Sequence, residues 1–233
     1  DDTENLFKYI GNKLDIKKLR NREIEIDLDC QWDRMSMKEI WQKYLQVNLD
    51  DYLEIEKLRN LAVERGFSAT AADTYEDLFF KIFLNEIEPH LGSEMPVFVY
   101  DYPACMASLS RLYEYDSRYA ERFELFIGGL ELANAFGELT DAAEQKKRLE
   151  KDRELRVKLG KEVWPVDEDF IAALASLPPA SAHPGFAESY AEARASARQG
   201  GIALGVDRMV LLFTGAKDLN EVIFCSVSDQ IGN

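Results

Sequence analysis

Residues 121–139, ERFELFIGGLELANAFGEL, decide the fold. Two apolar stretches flank Gly128-Gly129, and glycine's access to positive φ suits a two-residue hairpin turn. Regular pairing outward from that turn sets Ile127 opposite Leu130, Phe126 opposite Glu131 and Glu124 opposite Ala133. Glu124 and Glu131 then become diagonal neighbours on one face, roughly 7–8 Å apart at the backbone. Carboxylates that close repel unless a cation, a basic group or a shared proton lies between them. A hard cation such as Mg²⁺ would satisfy both, because such sites combine few protein acids with substrate phosphates. The alternative is a pair of solvent-facing acids on an edge hairpin.

Asn134, Phe136 and Glu138 follow at a spacing of two and so share one face. Strict pleating sends that face away from Glu124 and Glu131. For all five residues to line one pocket, a bulge must lie near Leu132-Ala133. An aromatic ring beside an amide and a carboxylate suits a ligand with an apolar chain and a cationic amine. The competing arrangement puts Phe136 in the core and leaves Glu138 leading into the next helix cap.

Further along, Arg208 opens the apolar helix 209–213 just after a strand ending near Gly205. A guanidinium at a helix N-terminus is an anion site in the making, although a salt bridge to Asp207 or a distant acid would use the same charge. Arg111, Arg118 and Arg122 reach either phosphate or local acids. His90 and His183 stand alone beside Pro or loop residues and read as surface histidines.

The chain has 233 residues with 46 % apolar content, enough for a substantial core. It carries 28 basic and 43 acidic residues, net −15, which argues against a principal nucleic-acid surface. Cys30, Cys105 and Cys225 have no metal-type spacing and read as reduced thiols of a cytoplasmic protein. No apolar run reaches membrane-spanning length, and the first residues lack a signal-peptide layout.

Around the hairpin, helices are predicted from Asp2 or Thr3 through Leu14, from Ser36 through Leu45, over 53–65, and from the Thr74–Asp77 capping box to Pro89. Strands are predicted at 23–29 and 97–102. A long charged helix capped by Thr140 or Asp141 reads as a solvated face, and a further helix spans 167–177. Residues 189–198 read as an exposed Ala-rich helix, and the end reads strand, apolar helix, turn, apolar segment. Strands and helices mix without βαβ alternation, and there is no Gly-rich loop of nucleotide-binding type. An α+β fold with a mainly antiparallel sheet flanked by helices, in one domain over 1–233, is expected.

Two segments carry a resemblance. ERFELFIGGLELANAFGELTDAAEQKKR, residues 121–148, resembles the class II lysyl-tRNA synthetase segment that carries metal, ATP and lysine contacts. GGIALGVDRMVLL, residues 200–212, resembles the same family's motif 3. YDYPACMASLSRL, residues 100–112, and Ala203 in place of a glycine are more similar to the subfamily of elongation factor P–(R)-β-lysine ligases.

The resemblance implies a class II aminoacyl-tRNA synthetase-like catalytic core and an ATP-dependent, AMP-forming aminoacyl ligase. It implies Glu124 and Glu131 as Mg²⁺ ligands, with Glu131, Leu132, Gly205 and Arg208 at ATP and Arg208 catalytic at the phosphates. Asn134, Phe136, Glu138 and Ala203 would contact the amino acid, Glu138 taking its amine. The acceptor would be a lysine of elongation factor P, with tRNA as the alternative and a non-catalytic regulatory relative as the third reading. Motifs 1 and 2 of the family are expected ahead of Asp1, so the chain reads as the C-terminal part of a catalytic domain, poorly active alone and homodimeric at full length. Residues 178–200 are longer than the family pattern.

Overall fold

The structure is a computed structural model and describes residues 1–176 and 199–223. The anticipated α+β architecture is present, with a five-stranded sheet in the order β3-β4-β5-β6-β7. These strands are β3 (Asp33–Ser36), β4 (Val97–Pro103), β5 (Tyr119–Ile127), β6 (Leu130–Gly137) and β7 (Gly200–Leu204). β3 runs parallel to β4, and every other pair is antiparallel. A separate ribbon pairs β1 (Lys18–Asn21) with β2 (Ile24–Asp27). The expected strand at 23–29 is therefore the second arm of a ribbon. β1 and β3 were invisible in the pattern because each has four residues, too few for alternation to register against their polar content.

One sheet face carries α2 (Met37–Leu45), α3 (Ile55–Glu64) and α4 (Tyr75–Ile82), packed through Trp41, Leu58, Phe79 and Phe83 against Val97, Val99 and Phe126. The other carries α1 (Asp2–Leu14), the ribbon and α7 (Val206–Thr214), with Phe7, Trp32 and Leu212 against Leu125, Ile127 and Leu132. The predicted Thr74–Asp77 capping box forms, and the Ser36 cap proves to be a second such box, completed by Glu39. Ser36 and Glu39 start α2, while Thr74 and Asp77 start α4, each box contributing about 1 kcal/mol to its helix. α1 is preceded by Asp1 at its cap position, not by Asp2 or Thr3, and the Asp1 side chain makes no capping bond.

The helix expected to run on to Pro89 changes at Phe83 into a π turn, Phe83–Ile87, then a 3-10 turn, Glu88–His90. That widening keeps Phe83 and Ile87 in the core while turning Glu88 towards the sheet end where the acids lie. Asp141 caps α5 (Ala142–Lys158), and Asp167 caps α6 (Glu168–Ala175). α5 is not purely a solvated face: Arg148 donates to the carbonyls of Ser108 and Ser110, and Gln145 is buried. The proposed 189–198 helix, most of the 178–200 segment, His183 and Cys225 lie outside the described residues. No helix among the described residues is long and apolar enough to cross a membrane.

Candidate functional site

The Gly128-Gly129 turn forms as expected, with φ of +61° and +75°. Ile127 faces Leu130 and Phe126 faces Glu131. Beyond Leu125 the register shifts by one, leaving Leu132 as an extra residue on β6. A bulge therefore lies near Leu132-Ala133, where a pocket shared by the five residues requires one. It also corrects one pairing: Glu124 sits opposite Asn134, not Ala133. Leu132 and Ala133 both turn into the second core, so β6 resumes its pleat with Asn134 on the face of Glu124. Phe136 lies opposite Arg122, and Ala203 of β7 lies opposite Asn134. One face thus gathers Arg122, Glu124, Glu131, Asn134, Phe136 and Ala203.

β5 and β6 are interior strands, so the edge-hairpin alternative fails for Glu124. Glu124 is only 9 % exposed and is held from three sides. Tyr102 Oη donates to its Oε2 at 2.6 Å. Arg122 Nη2 and Asn134 Nδ2 donate to its Oε1 at 2.6 and 3.2 Å. The Arg122 guanidinium also stacks 4.4 Å over the Tyr102 ring and 5.6 Å from the Phe136 ring, and donates to the Met106 carbonyl. Burial, then the Glu124 charge, pushes the Tyr102 phenol far up. It is a permanent donor.

Glu131 is more open, its side chain 41 % exposed. Burial first, and the Glu124 charge second, push its carboxyl up; Arg208 and Arg122 pull it back. Arg208 does not use Asp207. Its Nη1 donates to the Glu131 carbonyl at 2.5 Å and stands 3.9 Å from the Glu131 carboxylate. Gly205, the residue before α7, donates its N–H to the Leu132 carbonyl at 2.8 Å, fastening the helix start to the bulge. A cavity of about 360 Å³ is lined by Glu131, Leu132, Asn134, Ala203, Gly205 and Arg208 among others. Phe136 lines a neighbouring cavity of about 470 Å³ with Arg122 and Gly201.

Glu138 lies past the end of β6. Its N–H donates to the Gln199 carbonyl, and it bridges to Ser110. It leads towards the α5 cap in sequence, yet its carboxylate lies over Gly201 of β7. Arg111, Arg118 and Arg122 all pair with local acids, namely Glu121, Asp116 with Asp50, and Glu124.

Two contributors, Tyr102 and Glu88, escaped the sequence pattern. Tyr102 sits on another strand, and nothing in its spacing points at Glu124. Arg122 was visible, since it stands two residues from Glu124 on the same face. Glu88 joins from the 3-10 turn: burial, then the charges of Glu124 and Glu131, pushes its carboxyl up, while Arg208 pulls it down.

A mixed, mainly antiparallel sheet with acids on an interior hairpin and an arginine opening the following helix is the organisation of a class II synthetase core. The tRNA synthetase class II (D, K and N) family model matches residues 1–227, and the chain belongs to that family. It is similar to the elongation factor P–(R)-β-lysine ligases of Proteus mirabilis, at 39 % identity over 84 % of this chain and 55 % of the relative, and of Photorhabdus laumondii, at 39 % over 86 % and 57 %. The Salmonella paratyphi B enzyme of the same name is 40 % identical over 86 % of this chain and 57 % of its own length. The chain spans somewhat over half the length of these curated relatives.

Proposed function

We propose that the protein to which this chain belongs activates lysine or β-lysine with ATP and transfers it to a lysine of elongation factor P. The relatives' names support the acceptor. The observation that carries the chemistry is the bulge at Leu132, which sets Asn134 directly across from Glu124 while its Oδ1 stays buried and unpaired. With Nδ2 committed to Glu124, that oxygen is an acceptor waiting for a donor such as a substrate ammonium. Phe136 supplies the apolar wall and Glu138 the second acceptor.

In the first step a carboxylate oxygen of the amino acid attacks the α-phosphorus of ATP, and pyrophosphate leaves. In the second, the acceptor amine attacks the acyl carbon, loses a proton, and AMP departs. Neither step needs a protein nucleophile; both need alignment and charge neutralisation. Arg208 would supply positive charge at the phosphates, fixed by its bond to the Glu131 carbonyl. Glu131 and Leu132 would border the nucleotide, and Gly205 would keep the wall beside it low.

The donor set fits Mg²⁺. The Glu131 carboxylate is half open and destabilised by its acidic neighbour, and Oε2 of Glu124 accepts a single bond, from Tyr102. Bound there with ATP, the ion would neutralise phosphate charge. Among the described residues no group of three or more metal-type side chains comes together, so most of the ion's shell would be phosphate and water.

The test uses the full-length protein. ATP–pyrophosphate exchange is expected with lysine or β-lysine, followed by labelling of elongation factor P. Strong charging of tRNA with no labelled protein would overturn the acceptor and favour a lysyl-tRNA synthetase; loss of exchange altogether would favour a regulatory role.

A further inference from the structure

We infer that Gly201 sets how far the Glu138 carboxylate lies back over β7, and thereby the length of diamino-acid side chain the site accepts; this rests on the proposed contact of Glu138 with the substrate amine. Gly201 pairs with Phe136, two residues before Glu138 on the same face. A Cβ built on Gly201 would stand 2.7 Å from Glu138 Oε1, closer than such atoms approach. Gly201 is not among the glycines with positive φ, so its backbone does not demand glycine. What the position requires is empty space, and the atom that fills it is a carboxylate oxygen.

The Glu138 backbone cannot yield instead. Its N–H is bound to the Gln199 carbonyl at 2.9 Å, and Arg111 Nη1 donates to that carbonyl at 3.0 Å. Arg111 also donates its own N–H to the Gly137 carbonyl at 2.7 Å, and its guanidinium pairs with Glu121 at 2.5 Å. Gly137 leaves room for that pair, since a Cβ there would meet Glu121 Oε2 at 2.6 Å and Arg111 Cζ at 2.9 Å. With β5, β6 and the start of β7 fastened together, a methyl at position 201 moves only the flexible end of Glu138. The carboxylate is pushed off the sheet and towards the ligand. Gly201 is a specificity-determining residue that acts through Glu138.

The experiment compares G201A, E138Q, E138D and G201A/E138D in the full-length protein by ATP–pyrophosphate exchange. G201A is expected to fold, to raise the amino-acid KM about tenfold, the scale of one misplaced methyl in a pocket, and to leave the ATP KM within about twofold. Its preference for lysine over ornithine, one methylene shorter, shrinks. E138D withdraws the carboxylate from position 201, so adding G201A to E138D causes no further loss. If E138Q raises the amino-acid KM but G201A does not, or if the two penalties add, the inference is overturned while the proposed role of Glu138 stands. An unchanged KM in E138Q removes that role and the inference with it. Should G201A alone fail to fold, G201A/E138D folds if the clash is with the glutamate tip; its failure too would assign the glycine to the backbone and overturn the inference.

Discussion

Two strands of one sheet, β5 and β7, both carry residues of the proposed site and do so in opposite ways. β5 is flanked by β4 and β6, and its last four residues are buried. β7 has β6 as its single neighbour among the described residues, and Gly201, Ile202 and Ala203 are exposed. β5 contributes charge: Arg122 and Glu124 are desolvated, paired, and locked to Tyr102 and Asn134. β7 contributes small size: Gly201, Ala203 and the adjoining Gly205 leave room for what other strands project. Chemistry built from buried charge is bound up with stability, whereas chemistry built from missing side chains is not. Substitutions should therefore separate the two strands.

The largest effect is expected at Glu124. E124A leaves the Arg122 guanidinium buried without its carboxylate and Tyr102 without its acceptor, and should destabilise this chain by about 3 kcal/mol in urea denaturation. A loss below about 1 kcal/mol would mean water already reaches the pair, and the contrast with β7 would collapse.

An intermediate effect of opposite sign is expected at Glu131. Its carboxyl titrates above the usual value because burial and the Glu124 charge disfavour ionisation. The folded state is therefore not penalised while the carboxyl is protonated, below about pH 4, and loses stability as pH rises through the raised value. E131Q should raise the denaturation midpoint at pH 7, give no gain below about pH 4, and impair ATP-dependent exchange in the full-length protein. A midpoint lowered at pH 7 would show that Arg208 outweighs burial and the acidic neighbour.

The smallest effect belongs to β7. Ile202 is 46 % exposed, so I202T should change stability by less than about 0.5 kcal/mol. A larger loss would show that the strand is covered in solution and that the comparison overstates its openness.

The hairpin itself was legible because its turn needs glycine twice and its flanks are apolar. The site was legible only in part. Alternation alone separated Glu131 from Asn134, and the requirement for a bulge came from asking which residues belonged together, not from the pattern. Leu132 fills the second core at the bulge, so a packing demand sets the geometry of the proposed site. Sequence left open which acid Arg208 would meet as a salt-bridge partner; the proximity of the α7 start to Leu132 chose Glu131 over Asp207. Tyr102 and Glu88 stayed hidden because a side chain's distant neighbours leave no local periodicity.

By itself, the sequence determined the α+β class, the glycine turn, the Thr74–Asp77 capping box, the helix start at Ser36 and the residue types of the proposed site. These follow from φ preferences, short-range hydrogen bonds and hydrophobic spacing, all of which act within a few residues. Tertiary structure alone decided that Glu124 is buried and paired with Arg122, that Glu131 answers to Arg208, and that Glu138 rests over Gly201. Those outcomes depend on strands distant in sequence meeting in one register, which desolvates some charges and leaves others open.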